Sequence, residues 1–333
     1  MTKFTNHTRS TSLKAPAGLS DRRGIALIMV LWVLAVLMVM VLSFSYMTRT
    51  DSLAAVSFKD GVEKKFLAEA GIEKAAMEII YRRMHPAVQT DTEGAETWNV
   101  DGTPYTVNAG GGHYTVSITD EAGKININTL TDASGILIKN LLMNRGVEET
   151  EADTIVDSIL DWKDPDDLVR LNGAESDYYM SLPNPYKAKN ANFDTLEELL
   201  LVKGMTPDIL YGDGKKKGII DFLTVNSNSS QISLNAAPKE VLMAIPGMTA
   251  EAADAIIAAR ENAGDPAAMQ AALQTSMQGV PFGQFANYGS MGNVFTIESA
   301  GFKGEGKGGY AIKATIVIQA DNTFIYKYYK SPS

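Results

Sequence analysis

Between Asp161 and Asp177 the chain reads DWKDPDDLVRLNGAESD, which puts Asp161, Asp164, Asp166, Asp167, Glu175 and Asp177 into one short, turn-rich stretch. Carboxylates this crowded repel one another unless a cation joins them or solvent screens them. Hard oxygen ligands at irregular spacing suit calcium, which accepts about six to eight oxygens in flexible geometry. The positions of the glycine and of the last glutamate do not match an EF-hand. A solvated acidic loop whose aspartates cap helix ends accounts for the same residues, and residue type alone leaves both readings open.

Other chemistry is poorly provided for. The chain has no cysteine, hence no thiol nucleophile, thiolate metal site or disulfide. Its three histidines, His7, His85 and His113, lie far apart in sequence, which disfavours a histidine zinc site or acid–base pair. No G-x-S-x-G or Walker pattern occurs, and the expectation is that the chain is not an enzyme. Residues 232–260 look like a helix-hairpin-helix, with the hairpin at Pro246-Gly247-Met248, a unit that elsewhere grips phosphate backbones. Here the second helix carries Glu251 and Asp254, and Arg260 is its only basic residue. With a net charge of -9 and a pI near 5.0, this reads as a packing module, and no nucleic-acid partner is expected. The Gly- and Lys-rich piece 301–309 is read as a loop, since no helix follows it to cradle phosphate.

These residues need elements to hold them. At 333 residues, 45% hydrophobic and 21% charged, the chain can bury a substantial core, and an anchor plus two lobes is expected. Gly24 to Thr48 carries no charge and, as a helix, is long enough to cross a hydrocarbon layer of roughly 30 Å. A cleaved secretory signal would have a much shorter apolar core. Arg22 and Arg23 precede the span and an acidic chain follows it, so the first residues are expected in the cytoplasm and the body in the periplasm. No proline falls between Arg49 and Met84, and Leu53, Val56, Val62, Phe66, Ala70, Met77 and Ile80 recur as one face of a continuing helix. His85-Pro86 should end it.

Further along, Gly112 to Asn128 alternates as a strand pair turning at Glu121 to Gly123, with Asn128 as a helix cap. Helices are expected at 132–144 and 148–162, joined at Arg145-Gly146, and at 194–203, ending at Gly204. A strand is read at 218–226, a polar connection at 226–231, and helices at 238–244 and 249–262. Strands return at 293–301, 310–319 and 323–329, the last two joined at Asp321-Asn322.

A polar leader, a basic pair, a glycine and an apolar helix that turns amphipathic is the layout of type IV pilins and pseudopilins, and SDRRGIALIMVLWVLA (20–35) resembles theirs closely. The resemblance implies cleavage by a prepilin peptidase after Gly24 and N-methylation of Ile25. Most of that family carry a glutamate five residues into the mature chain; here the position is Met29. A carboxylate within lipid is costly without a cationic partner, and only a subunit with none ahead of it in the filament can do without one. That departure fits a tip subunit.

Further segments are similar to the K-type minor pseudopilins of the type II secretion system: KININ (124–128), DSILDWKDPDD (157–167), NGAESDYYMSLPNPYKAKN (172–190), FDTLEELLLVKGM (193–205) and ISLNAAPKEVLMAIPGM (232–248). The resemblance implies an α+β fold, in which a long N-terminal helix packs on an antiparallel sheet and a large helical lobe is inserted. The implied organisation is a leader at 1–24, a transmembrane part at 25–48, periplasmic helix and first strands at 49–128, lobe at 129–292 and final strands at 293–333. It also implies calcium at Asp161, Asp164, Asp166, Asp167, Glu175 and Asp177. Implied partners are the I- and J-type minor pseudopilins, the H-type and major pseudopilins, and the secreted cargo or outer-membrane secretin, in a pseudopilus tip that starts assembly. Two alternatives stay open, a minor pilin of a type IV pilus and a membrane-anchored DNA-uptake protein.

Overall fold

A computed structural model describes residues 21–85, 98–214, 217–227, 229–261, 282–288, 291–304 and 308–333. The expected leader up to residue 20 and part of the 301–309 loop lie outside them. The chain divides into two compact units, Met1–Gly61 and Val62–Ser333. Helix α1 (Asp21–Met84) supplies the described part of the first and enters the second. Its apolar side chains from Ile25 to Met47 are nearly all exposed, and it is long and apolar enough to cross a membrane. It ends at Met84, as the proline after His85 requires, and Arg82 and Arg83 suit the negative end of its dipole.

In the second unit, strands β1 (Asp101–Ala109) and β2 (Gly112–Asp120) form a hairpin. The chain returns to this sheet only at its end. Before that come the two-residue strand β3 (Ile125–Asn126), helices α2 (Gly135–Asn144), α3 (Glu149–Lys163), α4 (Ser176–Met180) and α5 (Pro207–Tyr211), and short strands β4 (Leu223–Thr224) and β5 (Ile232–Ser233). Helices α6 (Lys239–Leu242) and α7 (Ala250–Glu261) and strand β6 (Ala286–Asn287) follow, then β7 (Val294–Lys303), β8 (Tyr310–Ile318) and β9 (Phe324–Lys330). The sheet runs β1-β2-β7-β8-β9, antiparallel throughout. The fold is therefore α+β, with the lobe leaving after β2 and rejoining at β7.

Alternation along the strands sets one face of the sheet against α1. Tyr114, Val116 and Ile118 of β2, Phe295 and Ile297 of β7, and Ile312, Ala314 and Ile316 of β8 are buried with Ala68, Ile72, Ala75, Ala76 and Ile79. This is not the helix face that periodicity picked out: Phe66 is 63% and Met77 60% exposed in this unit. The reason is distance. A methyl group on Gly301 of β7 would sit 2.0 Å from the carbonyl oxygen of Lys64, and one on Gly71 would sit 2.1 Å from Ser299 Oγ. Contacts this close require glycine at positions 301 and 71 and seat Ala68, Ala75 and Ala76 on the sheet, with Ile72 and Ile79 buried on the same helix face while Phe66 and Met77 are turned outward.

The lobe has a separate core, with Ile138, Leu141, Ile155, Ile159, Trp162, Tyr179, Leu199, Leu234 and Ile256 among its buried members. The expected helices at 132–144 and 148–162 are α2 and α3, and Gly146 takes the left-handed conformation (φ 94°) between them. The expected helix at 194–203 is a 3-10 helix, Leu196–Leu201, started by a capping box between Thr195 and Glu198. Three expectations are corrected. Strand β2 pairs with β1, whose Pro104 and mostly unburied pattern hid it, whereas β3 joins β4 in parallel inside the lobe. The cap before the 3-10 turn 127–129 is Asn126, and Asn128 instead bridges to the Phe193 backbone. Residues 218–226 are chiefly a 3-10 turn and the short β4.

Where lobe and sheet join, two buried acids hold the chain. Asp120 accepts from the Ala122 and Gly292 backbone amides (2.9 and 2.7 Å), while burial pushes its carboxyl up to about 6. Burial also opposes ionisation of Glu121, but Lys124 and the hydroxyls of Thr224 and Thr296 hold it below the usual range. Thr296 lies on the sheet and Thr224 in the lobe, so one carboxylate ties both.

Candidate metal centre

Helix α3 delivers Asp161 in its last turn, fully buried, and ends at Asp164, the residue after Lys163. The loop that follows folds back on α3. Asp157 Oδ2 accepts from both the backbone and the side-chain amide of Asn172 (3.0 Å each), and Lys203 Nζ donates to the Asn172 and Gly173 carbonyls (3.2 and 3.0 Å). Gly173 is required there, because a β-carbon would lie 1.9 Å from Asp161 Oδ2. The return brings in Glu175, which precedes α4 and is 5% exposed. Beneath the loop lie Trp162 and Tyr179, edge to face with centroids 5.2 Å apart.

Asp161, Asp164 and Glu175 each place a carboxylate oxygen within 4.8 Å of the others, the one group of this kind among the described residues. Both Glu175 oxygens and Asp164 Oδ1 are buried with no hydrogen-bond donor. Burial, then the charges of Asp161 and Asp164, push the Glu175 carboxyl up to about 7; Asp161 is raised chiefly by burial. Arg170 compensates part of this charge. Its Nη1 donates to Asp161 Oδ1 (2.8 Å) and Asp164 Oδ2 (2.5 Å), its Nε to Asp132 Oδ1 (3.0 Å), and these bonds raise its pKa although burial opposes that.

Three of the six acids read from the sequence therefore converge, and three do not. Asp166 Oδ1 accepts from the Leu168 amide, Asp167 Oδ1 accepts from Asn190 Nδ2, and Asp177 is exposed on α4. Sequence reasoning missed Arg170 and Asn190. The acidic run holds two cations, Lys163 and Arg170, and a cation among the acids was the available signal; Lys163 Nζ is instead taken up by the Asn128 and Leu130 carbonyls (2.9 and 2.7 Å). Asn190, at φ 48°, leaves its own Oδ1 buried without a donor. The unpaired, buried oxygens of Glu175 and Asp164 are what a divalent cation would satisfy, and an all-oxygen set suits calcium. Asp161, Asp164 and Glu175 would hold it, and the ion would supply charge neutralisation that fixes the loop to α3.

The other sequence-derived positions are simpler. Gly24 and Ile25 lie in the first turns of α1, and Met29 is exposed on it. The helix-hairpin-helix segment buries Val241, Leu242, Ile245, Ala252, Ala253 and Ile256 in the lobe core, with Gly247 at φ 81° in the hairpin. Arg260 is itself buried, and Lys239 pairs with Asp254, which leaves little positive surface on this unit.

Residues 123–211, which contain the acidic loop, match the family model for protein K of the type II secretion system. Proteins of that name from Pectobacterium carotovorum and Klebsiella pneumoniae are each 30% identical to the chain, over 204 and 194 residues. Those alignments cover 57% and 55% of this chain, and 60% and 58% of the relatives, so the chain spans under two thirds of either relative's length. The fold is similar to a chain in the solved GspK-GspI-GspJ complex of enterotoxigenic Escherichia coli, with a TM-score of 0.51 at 15% identity, over 86% of this chain and 99% of that one. Residues 123–211 are thus similar to protein K of the type II secretion system, two proteins of that name are similar over more than half of the chain, and the fold is that of a chain in the solved complex.

Proposed function

We propose that the chain is a non-enzymatic minor pseudopilin, anchored in the inner membrane by the apolar part of α1 with its body in the periplasm. In this reading it joins I- and J-type minor pseudopilins in a complex that caps the tip of the pseudopilus and initiates its assembly for protein export. The observation that carries it is the lobe inserted between β2 and β7 of a sheet that packs on the end of α1. A lobe of that size would obstruct addition of a further subunit above it. Met29, where most pilins have glutamate, agrees with a subunit that has none ahead of it. Prepilin-peptidase cleavage after Gly24 and methylation of Ile25 belong to the same reading, as does structural calcium at Asp161, Asp164 and Glu175.

The test uses residues 49–333, which retain every member of both cores. Mixed with the soluble I- and J-type proteins of the same organism, this body should elute as a complex with one copy of each by size exclusion with light scattering. A body that stays monomeric with both partners, with calcium and without, would sink the tip-complex reading.

A further inference from the structure

Arg170 sits where the cation would have to be. Its Nη1 donates to Asp161 Oδ1 and Asp164 Oδ2, yet no donor reaches Glu175, so the guanidinium neutralises the cluster incompletely. A calcium ion shared by Asp161, Asp164 and Glu175 needs the same oxygens, and like charges a few ångströms apart in a buried site repel strongly. An exit exists, because Arg170 Nε already reaches Asp132, whose side chain is 80% exposed. The neighbouring side chains of Leu168, Val169 and Leu171 are 77%, 62% and 97% exposed, so the guanidinium has room to swing outward while the Arg170 backbone amide stays hydrogen-bonded to Asp161 (3.3 and 3.2 Å). We propose that Arg170 is an internal competitor for the cation at Asp161, Asp164 and Glu175: its guanidinium fills part of the site in the metal-free protein, and metal entry displaces that side chain toward Asp132. This rests on the calcium reading above, and it adds that Arg170 sets the affinity of the site.

Calcium binding is measured by titration calorimetry on the chelator-stripped 49–333 body and on its R170Q and R170K variants, at fixed pH and ionic strength. R170Q is expected to bind calcium about tenfold more tightly or better, with R170K close to the parent. A parent that binds while R170Q binds equally or more weakly overturns the competitor role and leaves the calcium site standing. If no variant binds, the calcium reading fails and this inference fails with it. A second measurement needs no loss of arginine in the protein tested. In the parent, the Arg170 Nε–H resonance, assigned by its absence from R170K, should shift or exchange faster at saturating calcium. An unchanged resonance at saturation overturns the displacement.

Discussion

Replacing Glu175 by glutamine tests the electrostatics of the centre most directly. Its buried carboxyl, with no donor on either oxygen, has its pKa raised from 4.5 to about 7. Between those values the folded protein holds a proton that the unfolded chain has released. The contribution is therefore present below the unfolded pKa and is lost as pH rises through 7. The rise to about 7 corresponds to about 3 kcal/mol at most, and relaxation around a charged carboxylate brings the expectation to about 1–3 kcal/mol. Urea unfolding in chelator, followed by tryptophan fluorescence, should show E175Q matching the parent at pH 5 and exceeding it by that amount at pH 8. Asp161 is raised in both proteins and largely cancels in the difference. Equal destabilisation by E175Q at both pH values would be incompatible with a Glu175 carboxyl that is protonated in the folded protein. Saturating calcium should reverse the order at pH 8, because only the parent keeps the third carboxylate; an ion at about 100-fold its dissociation constant adds about 2.7 kcal/mol.

Other consequences are checked by the same unfolding measurements. Gly301→Ala forces β7 away from the Lys64 carbonyl and should cost about 1–3 kcal/mol or more, although alanine suits a strand better than glycine. Leu141→Ala, at a fully buried position of the lobe core, should cost about 2–5 kcal/mol. Thr195→Ala removes half of the capping box and should cost about 1 kcal/mol, with Thr195→Ser restoring most of it.

The regular elements were largely legible because local rules govern them. The 60-residue helix from Ile25 to Met84 follows from an uncharged apolar run and the absence of proline before Pro86. Strands β7, β8 and β9 follow from alternation, and their hairpin from Asp321-Asn322, where Asn322 takes φ 61°. Strand β1 was not legible, since a sheet-edge strand with half-exposed residues and a proline gives little periodic signal.

Local rules thus set the long apolar helix, the two helices and turn before the acidic loop, and the six acids from which a site would be drawn, while the resemblance carried the α+β class. Only tertiary structure decided which helix face is buried, because the contact depends on how near Gly301 comes to the Lys64 carbonyl, and hydrophobic periodicity carries no information about that distance. It also decided that Asp161, Asp164 and Glu175 meet while Asp166, Asp167 and Asp177 do not. That choice rests on a loop pinned by Asp157, Gly173 and Lys203, contacts between residues up to 31 positions apart. Spacing along a turn-rich segment fixes which carboxylates are available, and the fold of the return fixes which of them lose their water.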